Sequence, residues 1–141
     1  MNGADAAWSL NPRLEADTHP VARWPLCDVR LMEDARYVWL ILVPRIADAV
    51  EIVDLPADVQ QQLTVEVARA SAALRAVASP HKLNVGALGN VVRQLHVHVV
   101  ARFEGDAAWP GPVWGHGTAE PYTAAARSAR LQALRAACAA D

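Results

Sequence analysis

The sequence is poor in the features that usually assign a chain to a compartment, a membrane or a nucleic acid. It has two cysteines, Cys27 and Cys138, with neither a CxxC motif nor a paired spacing. That argues against a disulfide framework and for reduced thiols in a cytoplasmic protein. Nothing approaches 18 consecutive apolar residues, and no charged n-region leads into an apolar run. Neither a membrane span nor a secretory leader is expected. The formal net charge is only -2, so the electrostatic footprint of a nucleic-acid or anionic-membrane partner is missing. Internal repeats are absent, and only the Ala-rich tail is low in complexity. What remains is a chain of 141 residues, 53% hydrophobic and 20% charged, long enough to fold as one domain around its own core.

Residues 1–20 contain Asn11-Pro12 and Thr18-His19-Pro20 without a sustained period and read as a lead-in arm, with His19 in a surface turn. Leu26–Met32 and Tyr37–Val43 are β-rich runs joined by Glu33-Asp34-Ala35-Arg36, a hairpin of ordinary length. The second run is apolar on both faces, Val38, Leu40 and Leu42 against Tyr37, Trp39 and Ile41, which predicts an interior strand covered on each side. Pro56 suits a first helical position and Asp58 the first turn. Val59, Leu63, Val67, Ala70, Leu74 and Val77 then recur at helical spacing, and Ser79-Pro80 ends the helix. Lys82–Leu88 reads as a further strand, followed by a tight turn at Gly89-Asn90. The loop over residues 105–117 holds Trp109 and Trp114, as packing on the domain's own surface, a pocket wall or a dimer contact. A last helix is expected from Thr118, as its cap, to Ala139, with Leu131, Leu134 and Cys138 on one stripe and Arg127, Arg130 and Arg135 solvated.

The most informative stretch is Gln94-Leu95-His96-Val97-His98-Val99-Val100. Its period of two predicts a half-buried strand, with Leu95, Val97, Val99 and Phe103 toward a core. Gln94, His96 and His98 would face away from that core, the two histidines roughly 6.5–7 Å apart along the strand. Asn84 alternates onto the same face if the preceding strand pairs with this one. From the two histidines alone three readings stand: a solvated face, part of a zinc site, or a nucleophile with its partner.

This stretch, with Asn84–Val92 before it and Trp109-Pro110-Gly111-Pro112 after it, resembles the histidine triad (HIT) family of nucleotide-binding hydrolases and transferases. The family's mark is His-φ-His-φ-His-φ-φ, φ being apolar. Gln94 stands at the first histidine, and His96 and His98 at the middle and last. The resemblance covers about Leu26 to Trp114. It implies an α+β fold, a HIT-like antiparallel sheet with one long helix packed on it and a C-terminal helix. The corresponding layout is an arm over 1–20, a HIT-like domain over 21–117 and a helix over 118–141.

The same resemblance makes His96 the nucleophile, its other nitrogen donating to the backbone carbonyl of the first triad residue, which Gln94 supplies as well as a histidine would. It expects His98 to bond a phosphate or leaving-group oxygen. Gly89, Asn90 and Val91 match the phosphate-holding turn, with Asn84 and Gln94 on the shared polar face. A covalent nucleotidyl-histidine intermediate would form and be hydrolysed by water, with no metal and no cofactor. The implied substrate is a nucleoside phosphoramidate, a dinucleoside polyphosphate or a similar conjugate. A homodimer through the helix and sheet edge is also implied, with no nucleic-acid or membrane partner.

Several positions depart from the family pattern. The phosphate-contacting Ser or Thr is Val91, a loss of one donor worth about 1–3 kcal/mol. The ribose-gripping acid or amide aligns with Leu31. The additional histidine before the second strand's apolar run aligns with Trp39, where a tryptophan would stack instead. These departures leave open a second reading, a non-catalytic module for a nucleotide or another phosphorylated metabolite. A third reading is a metal site of His96, His98 and His116.

Overall fold

A computed structural model describes residues 8–140. In chain order the elements are α1 (Pro12–Asp17), β1 (Thr18–Arg23), β2 (Cys27–Met32), β3 (Val38–Pro44), a 3-10 turn (Ile52–Asp54), α2 (Ala57–Ala78), β4 (Lys82–Gly86), β5 (Val97–Arg102) and α3 (Ala124–Ala139). The strands make one antiparallel sheet in the order β1-β2-β3-β5-β4. The α+β architecture is therefore as the sequence implies, with the long helix α2 and the C-terminal helix α3 on one face.

Alternation divides the sheet into two layers. Leu40, Leu42, Val97 and Val99 pack with Leu63, Leu74 and Leu134 beneath the helices. Tyr37, Trp39, Ile41, Val43 and Val100 point the other way, covered by Leu14, Ala108 and Val113. That second cover explains why all seven residues of β3 are buried. One member of the α2 stripe is not apolar: Glu66, 1% exposed, stands between Leu63 and Ala70. Its carboxylate accepts from the backbone N–H groups of Leu26 and Cys27 at 2.9 and 2.8 Å and from Gln62 Nε2 at 2.7 Å. A buried acid so surrounded joins the helix to the start of β2. Burial and the adjacent Glu66 push the Cys27 thiol up, so it stays unionised and unreactive.

Several sequence expectations are corrected by the structure. The stretch expected as a lead-in arm contains α1 and the first half of the edge strand β1, which pairs with β2 from Thr18↔Met32 to Arg23↔Asp28. Pro20 obscured it, yet an edge strand tolerates proline because one side of the ladder needs no N–H. His19 consequently lies in a strand, with Nε2 2.6 Å from Glu33 Oε1. The C-terminal helix begins at Ala124, capped by Thr123 rather than Thr118. Residues 118–123 instead run past the β2–β3 hairpin, where Ala35 N–H donates to Glu120 O and Tyr122 N–H to Glu33. Pro121 suits that extended path. Of the arginines expected to be solvated, Arg135 is exposed while donating to Pro20 O at 2.7 Å over the β1 edge, and Arg127 is half-buried and approaches Glu33 at 3.5 Å.

Further corrections concern β5 and the approach to it. Strand β4 ends at Gly86, and residues 87–96 form a long excursion rather than a tight turn at Gly89-Asn90. Gly86 pairs with His98, so β5 begins only at Val97 and His96 sits just ahead of it. Leu95 N–H bonds Ala49 O instead of joining the ladder. Finally, the two histidines do not face open solvent. Each side chain turns to the second layer, and each residue is 6% exposed.

Candidate functional site

Two sharply oriented imidazoles organise this layer. His96 Nδ1 lies 2.7 Å from the backbone carbonyl of Gln94. A carbonyl only accepts, so Nδ1 carries a proton, and the neutral form of the ring then has its lone pair on Nε2. His98 lies on the same side, its ring centroid 4.9 Å from that of His96. Its Nδ1 is 3.0 Å from Trp39 Nε1 on the neighbouring strand β3. Burial, reinforced by the adjacent His96, lowers the His98 pKa from 6.5 to about 3. His98 is therefore uncharged at neutral pH.

Two cavities meet at His96. One is lined by His96, His98, Gly89, Asn90 and Val91 together with Trp114, and its far wall includes Arg13, Asp17 and Met32. The other is lined by His96, Gln94, Leu95, Leu88, Gly89 and the segment Val50–Val53. Gly89 has φ +69, the left-handed region that a glycine adopts without strain, at the bend leading Asn90 and Val91 to the cavity. Asn90 and Val91 are both exposed, Val91 as an apolar rim residue.

Five of the seven candidate site residues thus come together: His96, His98, Gly89, Asn90 and Val91 line one cavity. Gln94 contributes its carbonyl to His96, while its side chain is used elsewhere. Its Oε1 accepts from Asn11 N–H at 2.8 Å and its Nε2 donates to Ser9 O at 2.9 Å, tying down the segment before α1. Asn84 shares the histidine face, opposite Val100 in register, but lines neither cavity. Its Oδ1 accepts from Arg102 Nη1 at 2.7 Å.

Other positions lie elsewhere than the sequence predicts, or carry no local signal in it. Leu31 is fully buried in the layer under the helices and cannot reach a ligand in either cavity. Its neighbour Met32 faces the site, because one step along a strand reverses the side. The polar groups on that wall, Arg13 and Asp17, belong to α1, for which the sequence shows no sustained period. Trp39 is not a stacking surface in the cavity; it supplies a hydrogen bond to His98 from behind. The Trp109–Trp114 loop divides its roles. Trp109 lies over Arg102, 5.6 Å from ring centroid to guanidinium, whereas Trp114 packs on His98 and forms cavity wall. Trp114 can lean in because position 86 has no side chain: a Cβ there would come 3.1 Å from Trp114 Cη2. His116 is exposed, and among the described residues no three His, Cys, Asp or Glu side chains cluster as metal ligands.

A family model described as the HIT domain matches residues 13–105. Among solved structures, a histidine triad protein from Bradyrhizobium japonicum is 48% identical, with 94% of this chain and 98% of that one covered and a TM-score of 0.91. A histidine triad protein from Sinorhizobium meliloti is 46% identical over 92% and 96% of the two chains, TM-score 0.88. One from Marinobacter aquaeolei is 43% identical over 93% and 96%, TM-score 0.90. No curated protein matches the sequence.

Proposed function

The chain belongs to the HIT family, and from that membership we propose that it is a nucleotide-binding hydrolase or nucleotidyl transferase with His96 Nε2 as its nucleophile. The observation carrying this reading is the 2.7 Å bond from His96 Nδ1 to the Gln94 carbonyl, which directs the Nε2 lone pair outward beside His98 and the Gly89–Val91 turn. The substrate is a nucleoside monophosphate conjugate, such as a nucleoside phosphoramidate or dinucleoside polyphosphate. Nε2 attacks phosphorus, an N–P bond forms, and the bond to the leaving group breaks with its electron pair on that group. Water then attacks phosphorus, an O–P bond forms, the N–P bond breaks with its electron pair on Nε2, and the proton of the attacking water passes to solvent. Gly89, Asn90 and Val91 are assigned to the phosphate and the α1 wall to the nucleoside. Free, buried Cys27 and Cys138 favour a reducing compartment, the cytoplasm. No helix among the described residues is long and apolar enough to cross a membrane.

A second reading, a binding module for a nucleotide or another phosphorylated metabolite, is favoured by Val91, which offers no hydroxyl, and by the Gln94 amide, which is engaged away from the cavity. Rapid quenching followed by peptide mass analysis separates the two. With a panel of nucleoside phosphoramidates and dinucleoside polyphosphates, one nucleotidyl group should appear on the peptide containing His96. Ligand-induced thermal shifts without adduct or turnover would select the binding module; no shift and no adduct across the panel would sink both.

The homodimer belongs to the same proposal. Strand β4 is the sheet edge opposite β1, and Val85 on it and Val65 on α2 are 53% and 59% exposed. An edge strand and an apolar helix position left open on one molecule suit a two-fold pairing. Sedimentation at micromolar concentration should give twice the chain mass of 15.2 kDa; a single-chain mass would refute it.

A further inference from the structure

Resting on the catalytic reading above, we propose that Trp39 is a positioning residue that holds His98 in its Nε2–H tautomer, so that His98 works only as a neutral hydrogen-bond donor. The argument turns on what each atom can do. An indole N–H donates and never accepts. Trp39 Nε1 lies 3.0 Å from His98 Nδ1, so that nitrogen must present its lone pair. In a neutral imidazole the proton is then on Nε2. A doubly protonated ring would set N–H against N–H inside a layer built of Trp39, Trp114 and His96.

The indole is held so that it does not turn away. It is 4% exposed, on a strand buried throughout, with Tyr37 edge-on at 6.1 Å and Trp114 edge-on at 6.3 Å between ring centroids. The two histidines therefore take opposite tautomers from opposite kinds of partner. A carbonyl acceptor gives His96 a free lone pair, and an indole donor gives His98 a free N–H. One ring is prepared to attack phosphorus, the other to bond an oxygen that gains charge as the attack proceeds. No proton moves through His98 in this scheme: a neutral imidazole that gave up its Nε2 proton would become an anion. The leaving group must take its proton from water or from its own solvent shell.

Nitrogen-15 imidazole NMR tests the assignment directly. In the wild type at neutral pH, His98 should show a pyridine-like Nδ1 and a pyrrole-like Nε2. Trp39→Phe keeps an aromatic ring but removes the donor, and His98 should then become a mixture of tautomers or switch to Nδ1–H. In parallel, kcat on a nucleotidyl substrate should fall roughly tenfold, the scale of one hydrogen bond, with KM changed much less. A wild-type His98 protonated on Nδ1 would overturn the proposal, as would an unchanged Nε2–H signature in Trp39→Phe. Failure of the catalytic reading would show separately, as absence of turnover in the wild type, while the spectrum still decides the tautomer.

Discussion

Replacing His96 by alanine is expected to lower kcat on any nucleotidyl substrate by roughly 10⁴-fold or more, the usual scale for deleting a nucleophile. Binding should persist, because the turn Gly89–Val91 and the α1 wall are untouched. The comparison variant is His98→Asn, which keeps the nucleophile and removes one imidazole donor. Its loss should be smaller, about 10²–10³-fold, as for other oxyanion-stabilising donors. His96→Ala also leaves a space in the cavity wall that free imidazole fits, so millimolar imidazole should restore part of the turnover to this variant and none to His98→Asn. Steady-state rates with and without imidazole provide the measurement. Equal turnover by wild type and His96→Ala would eliminate His96 as the nucleophile.

The second large effect is on stability. Arg102, 1% exposed, donates from Nε and Nη2 to the two carboxylate oxygens of Asp106 at 2.8 and 2.9 Å and from Nη1 to Asn84. Asp106 also accepts from the N–H groups of Phe103 and Trp109, which fixes the start of the loop carrying Trp114. Arg102→Ala would strand a buried carboxylate and should cost about 3–5 kcal/mol. The double replacement Arg102→Met with Asp106→Leu removes both charges and should cost less than the single change. Urea titrations read both values.

The same group gives an acid limb. The Arg102 guanidinium bonded to Asp106, with backbone N–H donors adding to it, holds its pKa at about 2, below its ordinary 3.8. A depressed carboxylate stabilises the fold above its unfolded pKa and loses that contribution as pH falls through the folded one. About 2 kcal/mol should therefore disappear between pH 4 and pH 2. His98 adds a limb at higher pH. Its folded pKa of about 3 lies below 6.5, so the unfolded chain takes up that proton first and stability falls as pH drops from 6.5 toward 3. Urea midpoints across pH 7 to 2 should decline in two stages.

Much of this architecture was legible because periodicity responds to burial. The β2–β3 hairpin, α2 and the β5 alternation each followed a period of two or of three and four, and the layers confirm which side each residue takes. What escaped was whatever the layers do not write into local spacing. Thr18–Arg23 is a strand because β2 offers it an edge, not because its own pattern alternates. Glu66 lies inside an apolar stripe because two N–H groups at Leu26 and Cys27 need an acceptor 39–40 residues away in sequence. The site divides likewise. His96 and the Gly89–Val91 turn are close in sequence, and the structure brings them to one cavity. Trp39, Arg13 and Asp17 reach the site only through pairing and packing across the sheet, whereas Trp114 takes the pocket-wall place that was one reading of its loop.

Gly86 faces His98 across the β4–β5 ladder, and the indole of Trp114 occupies the room that a side chain there would fill. The gauge of the cavity beside the histidines is thus set by a methyl group that is not there. Enlarging position 86 would push the tryptophan forward over the imidazole and narrow the opening for whatever molecule enters. One backbone position behind the chemistry, touching no ligand, becomes a handle on ligand size.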